Sequence, residues 1–378
     1  MITVASISLT VVTLLASLTF VALSFANATV GPRQLRAFLR DRITQYTIAA
    51  FLGSCVYCLV GLLFYRGGDE SLSPHLGAFV ALLFALTSTG LFIAYLHTLT
   101  RAVQPNFVIV RIVRELQHSI ECYGQARSAH SKGATLSNAA ADVIVAALPE
   151  PSEIVTAIRS GYVQQIVHDP LVEVVARNDC VVRFKVRPGH FVLAGEPIAD
   201  AWQINDEVRA AIETHFDVGD YRTLAQDLEF GIDQLVEIAI RALSPAINDT
   251  FTALACVDWL GEAVRQFATS DAGTPVHLDG FGVVRIIDRP LRFESVVTAS
   301  FAKVRQAGVS NPAVLIRLLE AYGRLAVHCT EGQRVPLRLE ADAAMNLSGS
   351  VAISAIDRSA ILDRADATRE ALSSAPLN

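Results

Sequence analysis

Three long runs without a charged side chain open the chain, and the pattern changes character after the third. Ile2–Pro32, Ile43–Tyr65 and Ser71–Thr100 contain no Asp, Glu, Lys or Arg. A helix needs about 20 apolar residues to cross a hydrocarbon core, so the runs predict transmembrane helices at about 2–26, 45–65 and 76–99. The first run has no basic leader and is too long for the apolar part of a signal peptide. The loop after it carries Arg33, Arg36, Arg40 and Arg42 against Asp41, whereas the next loop carries Arg66, Asp69 and Glu70. Basic loops stay in the cytoplasm. The Arg33–Arg42 loop and everything after Arg101 are therefore expected inside, and the N-terminus outside. The odd number of spans and the abrupt apolar start point to an upstream span or an earlier start.

Beyond Arg101 the pattern becomes that of a folded α+β part. Ile109, Ile112, Val113, Leu116 and Ile120 recur at helical spacing and predict a helix over Val108–Tyr123. Gly124–Ser152 is rich in Ala, Ser, Gly and Pro and reads as a connector with a short helix at Asn138–Leu148. From Ile158 to Trp202 the period shortens. Gly161–Val167, Cys180–Val186, His190–Leu193 and Pro197–Ala199 alternate as strands, with Pro188-Gly189 and Gly195-Glu196 as turns and a short helix over Leu171–Arg177. The order resembles the small β-sandwich of biotinyl and lipoyl carriers. The lysine such carriers modify in a turn is not evident, because Lys185 falls inside a strand pattern. The module is therefore read as structural or as an interaction domain.

Helices are expected at Asp206–His215, Phe293–Ala307 and Pro312–His328, a loop at Ser270–Gly280, and a strand at Val283–Ile287. The expected organisation is 1–100 membrane helices, 101–157 connecting helix and linker, and 158–202 β module. It continues with 203–340 as a mainly helical α+β region and 341–378 as a partly disordered tail carrying one surface helix. The fold class is an α+β membrane protein with N-terminal transmembrane helices followed by a cytoplasmic part.

The most unusual stretch is Ala225–Leu260. Leu224, Leu228, Leu235 and Ala239 fall near one helical face, and Glu229, Asp233 and Glu237 lie four apart on another. Ser244-Pro245 then breaks the helix, since proline removes a donor and disfavours helical backbone before it. Asn248 and Asp249 are both good caps for a second helix from about Thr250. Replacing Pro245 with Ala is expected to straighten the helix. Asp227, Glu229, Asp233 and Glu237, with Asp249 and Asp258 beyond, could hold a divalent cation. They could equally form an ion-pair network with Arg241, Arg222, Arg285, Arg289 and Arg292, and the Ser244–Asp249 run could be a subunit contact. His168, His190 and His215 are too dispersed to form a metal spacing by themselves.

Composition narrows the classes. Hydrophobic residues make up 52% and charged residues 18% of 378, and the net charge of −6 argues against a general nucleic-acid binder. Six scattered cysteines imply no disulfide framework, and Cys55-Val-Tyr-Cys58 stands alone in an apolar run. Gly53, Ser54, Cys55 and Cys58, and Thr87, Ser88, Thr89 and Gly90, suit close helix packing or a pore lining. No nucleotide-binding, zinc-protease or nucleophile-elbow motif occurs, so no cofactor and no enzyme activity is expected.

The chain resembles the DUF2254 family of bacterial predicted membrane proteins, as far as about Leu339. The resemblance is carried by Gly31–Arg42, Phe51–Tyr57, Gly161-Tyr-Val-Gln, Arg187-Pro-Gly-His-Phe-Val192, Gln226-Asp-Leu-Glu-Phe-Gly231, Arg241–Asp249 and Asn311-Pro-Ala-Val-Leu. It implies an inner-membrane location and an additional hydrophobic segment at the start of the family pattern, but no activity. The first functional expectation is an oligomeric channel or passive transporter for a small ion or solute, with a cytoplasmic regulatory domain. The alternative is a membrane-anchored sensor or scaffold that binds a partner or cation through the acidic face. The third is a membrane-bound metal-dependent enzyme using Asp233 or Asp249. The expected partners are the lipid bilayer and further copies of the chain, and no nucleic acid.

Overall fold

The structure is a computed structural model that describes residues 2–29, 42–66, 74–102, 104–130, 143–144, 146–270, 276–350 and 354–374. The loops expected at 33–41 and 67–73, and 138–142 of the expected linker helix, lie outside the described residues. The chain divides into two compact units, Met1–Val110 and Arg111–Asn378.

The first unit contains α1 (Ile2–Thr29), α2 (Arg42–Arg66) and α3 (Pro74–Ala102), each long and apolar enough to cross a membrane. Their buried positions follow a seven-residue repeat. Ser8, Leu15 and Ala22 form the seam of α1, Ala81, Ser88 and Tyr95 that of α3, and Thr44, Thr47, Phe51, Ser54 and Cys58 that of α2. That spacing keeps one face of each helix turned to its neighbours. Several polar groups on the seams bond across helices, as lipid favours, whereas the buried Ser88 hydroxyl has no partner among the described residues. The Thr19 hydroxyl lies 2.7 Å from the Tyr95 hydroxyl, and Thr47 donates to the Leu91 carbonyl at 3.2 Å. Cys55 and Cys58 are free thiols buried in this packing. Close approach comes from Ala, Ser and Cys rather than from the two glycines expected to supply it, because a Cβ at Gly53 or Gly90 would meet nothing within 4 Å. Thr87 and Thr89 bond back to their own helix. The outward faces carry large apolar side chains such as Leu9, Phe20, Leu63, Leu86 and Ile93.

Helix α4 (Pro105–His130) runs across the division between the units and extends the expected helix at both ends. The second unit then builds two sheets. The larger has the order β1-β5-β3-β8-β7, from Glu153–Thr156, Pro197–Trp202, Val181–Phe184, Val284–Ile287 and Val276–Leu278. All its pairings are antiparallel except β3 with β8. The smaller has the order β4-β2-β6, from Phe191–Val192, Gly161–Ile166 and Phe216–Gly219. Val163, Val192 and Phe216 of the small sheet share one core with Val182, Phe184, Ala199 and Ile286 of the large one. Phe184 stacks on Phe216 at 5.7 Å. Helices α5 (His168–Arg177) and α6 (Asp206–His215) add Leu171, Val175, Val208 and Ile212 to that core. The 158–202 stretch therefore does not close on itself. Each of its sheets is completed by strands from outside it, and the expected loop over Ser270–Gly280 contains β7.

The helical layer comprises α7 (Leu228–Ala242), α8 (Thr250–Thr269), α9 (Phe293–Ala307), α10 (Pro312–Ala326), α11 (Glu331–Ser350) and α12 (Ala355–Ser373). The C-terminal region, expected to be partly disordered, carries the last helix on α10. Ile361, Ala365, Thr368 and Leu372 are buried, and Thr368 donates to the Leu319 carbonyl.

Candidate functional site

The N-terminal end of α7 borders a cleft of about 300 Å³ in the second unit. Three of the stretches that carry the family resemblance meet there. Asp227 is the N-cap of α7 and accepts from the Phe230 N–H, so the helix starts at Leu228 and leaves Leu224 outside it. The Pro188-Gly189 turn lies against the same carboxylate. Gly189 has φ +94°, and a Cβ there would come within 2.4 Å of Asp227 Oδ2. Only glycine fits both the backbone and the space. Gln226 continues the small sheet by exchanging two hydrogen bonds with the backbone of Ile166. The Gly189 N–H reaches the Val163 carbonyl.

The acidic face is matched by cations. Arg222 grips Asp227 with two hydrogen bonds of 2.6 and 2.9 Å, and reaches Asp233 at 2.6 Å. Lys303 also faces Asp233, at 3.6 Å. Arg187 pairs with Glu229 at 2.8 Å, and Arg241 with Glu237 at 3.4 Å. Burial works against the Arg222 charge, but hydrogen bonds and attraction from Asp227 and Asp233 outweigh it and raise its pKa. Of the other arginines expected to pair here, Arg285 instead holds Asp179 and Asp279, and Asp258 is held by Arg317 and Arg324, which the sequence did not single out. Asp227 and Glu229 line the cleft, whereas Asp233 and the Arg222 that holds it do not. Glu237, Arg241, Ser244, Pro245, Asn248 and Asp249 lie towards the far end of α7, up to about 20 Å along its axis, and line no part of the cleft. Asn248 has φ +49° and Asp249 alone caps α8, bonding the N–H and hydroxyl of Thr252.

The opposite wall holds a group that the sequence does not bring together. His168 is the first residue of α5, His277 lies in β7, and Asp288 follows β8 directly. The β7–β8 hairpin pairs His277 with Ile286, which sets Asp288 just beyond the histidine, and α5 lies over this hairpin. His168 Nε2 is 3.0 Å from Asp288 Oδ1, and His277 Nε2 is 2.8 Å from Oδ2. The two rings stack at 4.0 Å with 10° between their planes. His277 is buried and the other two residues are partly exposed towards the cleft. Burial would raise the Asp288 carboxyl, but the two imidazoles hold it well below the usual carboxylate range. One donor atom from each residue lies within 4.8 Å of the others, so the three could hold a metal ion. Sequence reasoning singled out His168 but missed both partners, which are 109 and 120 positions away. Only the strand register reveals them.

Arg187 and Arg289 also line the cleft, and partly buried His190 is bonded to Arg187. His190 Nε2 is 2.9 Å from Arg187 Nη1. Its pKa is lowered from 6.5 to about 4 by burial first, then by Arg187, Arg289 and Arg222. Exposed Arg289 lines the cleft and donates to the Lys185 carbonyl at 2.9 Å. Among the described residues it makes no ion pair, unlike Arg187 and Arg222.

The family model described as "Predicted membrane protein (DUF2254)" matches residues 1–324. An uncharacterized protein of Mycobacterium tuberculosis strain H37Rv is 27% identical over 345 residues, covering 88% of this chain and 64% of the relative. An uncharacterized protein of Mycobacterium bovis matches to the same extent. The chain thus spans 64% of the length of these relatives. No solved structure matches.

Proposed function

The chain belongs to the DUF2254 family of predicted membrane proteins, and on that premise we propose that it is a membrane-anchored sensor whose cleft binds a small anionic solute in the cytoplasm. The observation that carries this reading is Arg289, a cation on the cleft wall that makes no ion pair among the described residues, although Asp169, Asp227, Glu229 and Asp288 line the same cleft. Partly buried His190, bonded to Arg187 of the cleft wall, is kept from adding a positive charge near Arg289. Arginine suits this task because its planar fork matches carboxylate and phosphate oxygens. The basic loop at Arg33–Arg42 supports a cytoplasmic second unit. In this reading the two sheets form one small sandwich-like module that works with the helices after it, since the cleft draws on both.

The channel reading ranks second. Thr19 and Thr47 bond within the bundle, and the outward-facing hydroxyls of Ser6, Thr10, Thr13 and Ser17 bond to their own helix among large apolar side chains. A conducting path would therefore have to form between copies of the chain. An enzyme using Asp233 or Asp249 ranks below both, because Asp233 is held by Arg222 and Asp249 is engaged as a cap.

Two measurements on the purified full chain test this. Inorganic phosphate, used as a probe, should raise the Tm of the wild type and leave Arg289→Gln unmoved. Liposomes containing the protein should show no ion flux above the empty background. A Tm that ignores phosphate in folded wild-type protein would remove the sensor reading, and a clear conductance would put the channel first.

A further inference from the structure

We propose that His168, His277 and Asp288 form a binding site for a divalent first-row transition-metal ion, with an open coordination position facing the cleft. The chemistry of the donor set points this way. Two imidazoles and one carboxylate favour zinc, iron or cobalt, whereas magnesium and calcium prefer all-oxygen sites. Three protein ligands with a free position is also the composition of sites where the ion meets a further ligand.

The geometry is close to what such an ion needs. With bonds of about 2.0–2.1 Å, a tetrahedral site has donor–donor separations of about 3.3–3.4 Å. Here both Nε2 atoms converge on one carboxylate at 3.0 and 2.8 Å. Side-chain adjustments of a few tenths of an ångström would open the space. Each ligand also stands on a regular element or at its end. The three come from different parts of the chain, so the core fixes their relation before any ion arrives.

The charge balance supports the same conclusion. The two rings stack at 4.0 Å with both Nε2 atoms directed at the one Asp288 carboxylate. Neutral imidazoles are the form that binds a metal. Two of them with one carboxylate leave a net charge of −1, which a divalent ion would convert to +1. The added positive charge would lie in the same cleft as Arg289. An anion could then bridge the ion and the guanidinium. That last step rests on the reading of the cleft as an anion site, but the binding of the ion does not.

The test uses Co2+ and Zn2+ with the purified full chain after chelator treatment. The wild type should bind one equivalent of Co2+ with visible d–d absorption, and Zn2+ should displace it. His168→Gln and Asp288→Asn should each weaken binding by about a hundredfold or more, beyond the roughly 10–100-fold lost when an outer-shell partner is removed. X-ray absorption of the wild-type zinc form gives a readout independent of the variants' folding, and should show an oxygen and nitrogen shell with two imidazoles. Failure of folded wild type to bind Co2+, unchanged affinity in folded variants, or a shell with fewer than two imidazoles would overturn the proposal. Metal binding without any response to phosphate would keep the ion site and remove the anion reading. A phosphate response lost in Arg289→Gln, without metal binding, would do the reverse.

Discussion

Arg222 ties the acidic face together. It serves Asp227, which is almost fully buried, as well as Asp233, and its guanidinium lies 5.3 Å from the centre of the Phe230 ring. Removing it would leave a buried carboxylate uncompensated, a loss of about 3–5 kcal/mol. Arg222→Met should therefore lower the Tm strongly. Adding Asp227→Asn should recover most of the loss, because asparagine still caps α7 without a charge. A double variant no better than the single one would show that the pairing is not the source of the loss. His190 gives a pH-dependent counterpart. Its pKa falls from 6.5 to about 4 on folding. Between those values the unfolded chain takes up a proton that the folded chain refuses. The stability present above pH 6.5 is therefore lost as pH falls towards 4. His190→Gln should flatten that part of the stability profile measured by denaturation. An unchanged slope would assign it to other groups.

At the scale of elements, the corner between α7 and α8 shows which local signals were legible. Ser244-Pro245 and Asp249 marked the break and the new helix correctly, because proline and a capping carboxylate act through the nearest backbone groups. The roles inside the corner were not separable from sequence. The Asn248 N–H bonds the Ser244 carbonyl, and the Asp249 N–H bonds the Ala242 carbonyl at 2.7 Å. Those bonds and the left-handed Asn248 close the turn, and proline contributes no donor to it. Pro245→Ala is therefore expected to leave the corner bent and to change stability by less than about 1 kcal/mol. Asn248→Val should cost about 1–2 kcal/mol for its left-handed backbone, and Asp249→Ala about 1 kcal/mol for the lost cap. Equal effects at all three positions in thermal denaturation would contradict this division. The short strands β1, β6 and β7 escaped a reading based on alternation, since three or four residues give too little period. With β7 unseen, the pairing that carries His277 to Asp288 could not be read. Long apolar runs, by contrast, announced all three helices long and apolar enough to span a membrane.

At the scale of the molecule, the spans and the second unit follow different rules. The seven-residue seams join helices through small and hydroxyl side chains, whereas the second unit relies on an aliphatic core and buried ion pairs. A surface helix in the tail was legible, but its part in completing that unit was not, because α12 is mostly polar and buries one narrow stripe. Buried Arg334 links its end to the rest, donating to the carbonyls of Ala326 and Ser374 at the C-terminal ends of α10 and α12. Positive charge is favoured at both. Ending the chain after Ser350 should cost at least about 4 kcal/mol, counting about 2 kcal/mol each for Ile361 and Leu372. A truncated chain melting like the full one would show that the last helix is dispensable.

The most direct test of the central claim is hydrogen–deuterium exchange on the full chain in lipid nanodiscs, with and without inorganic phosphate. Binding in the cleft predicts added protection in the segments around His168, Arg187–His190, Gln226–Glu229 and His277–Leu291, with the three spans unchanged. Protection confined to the spans, or none at concentrations where the Tm responds, would contradict the assignment of the cleft as the ligand site.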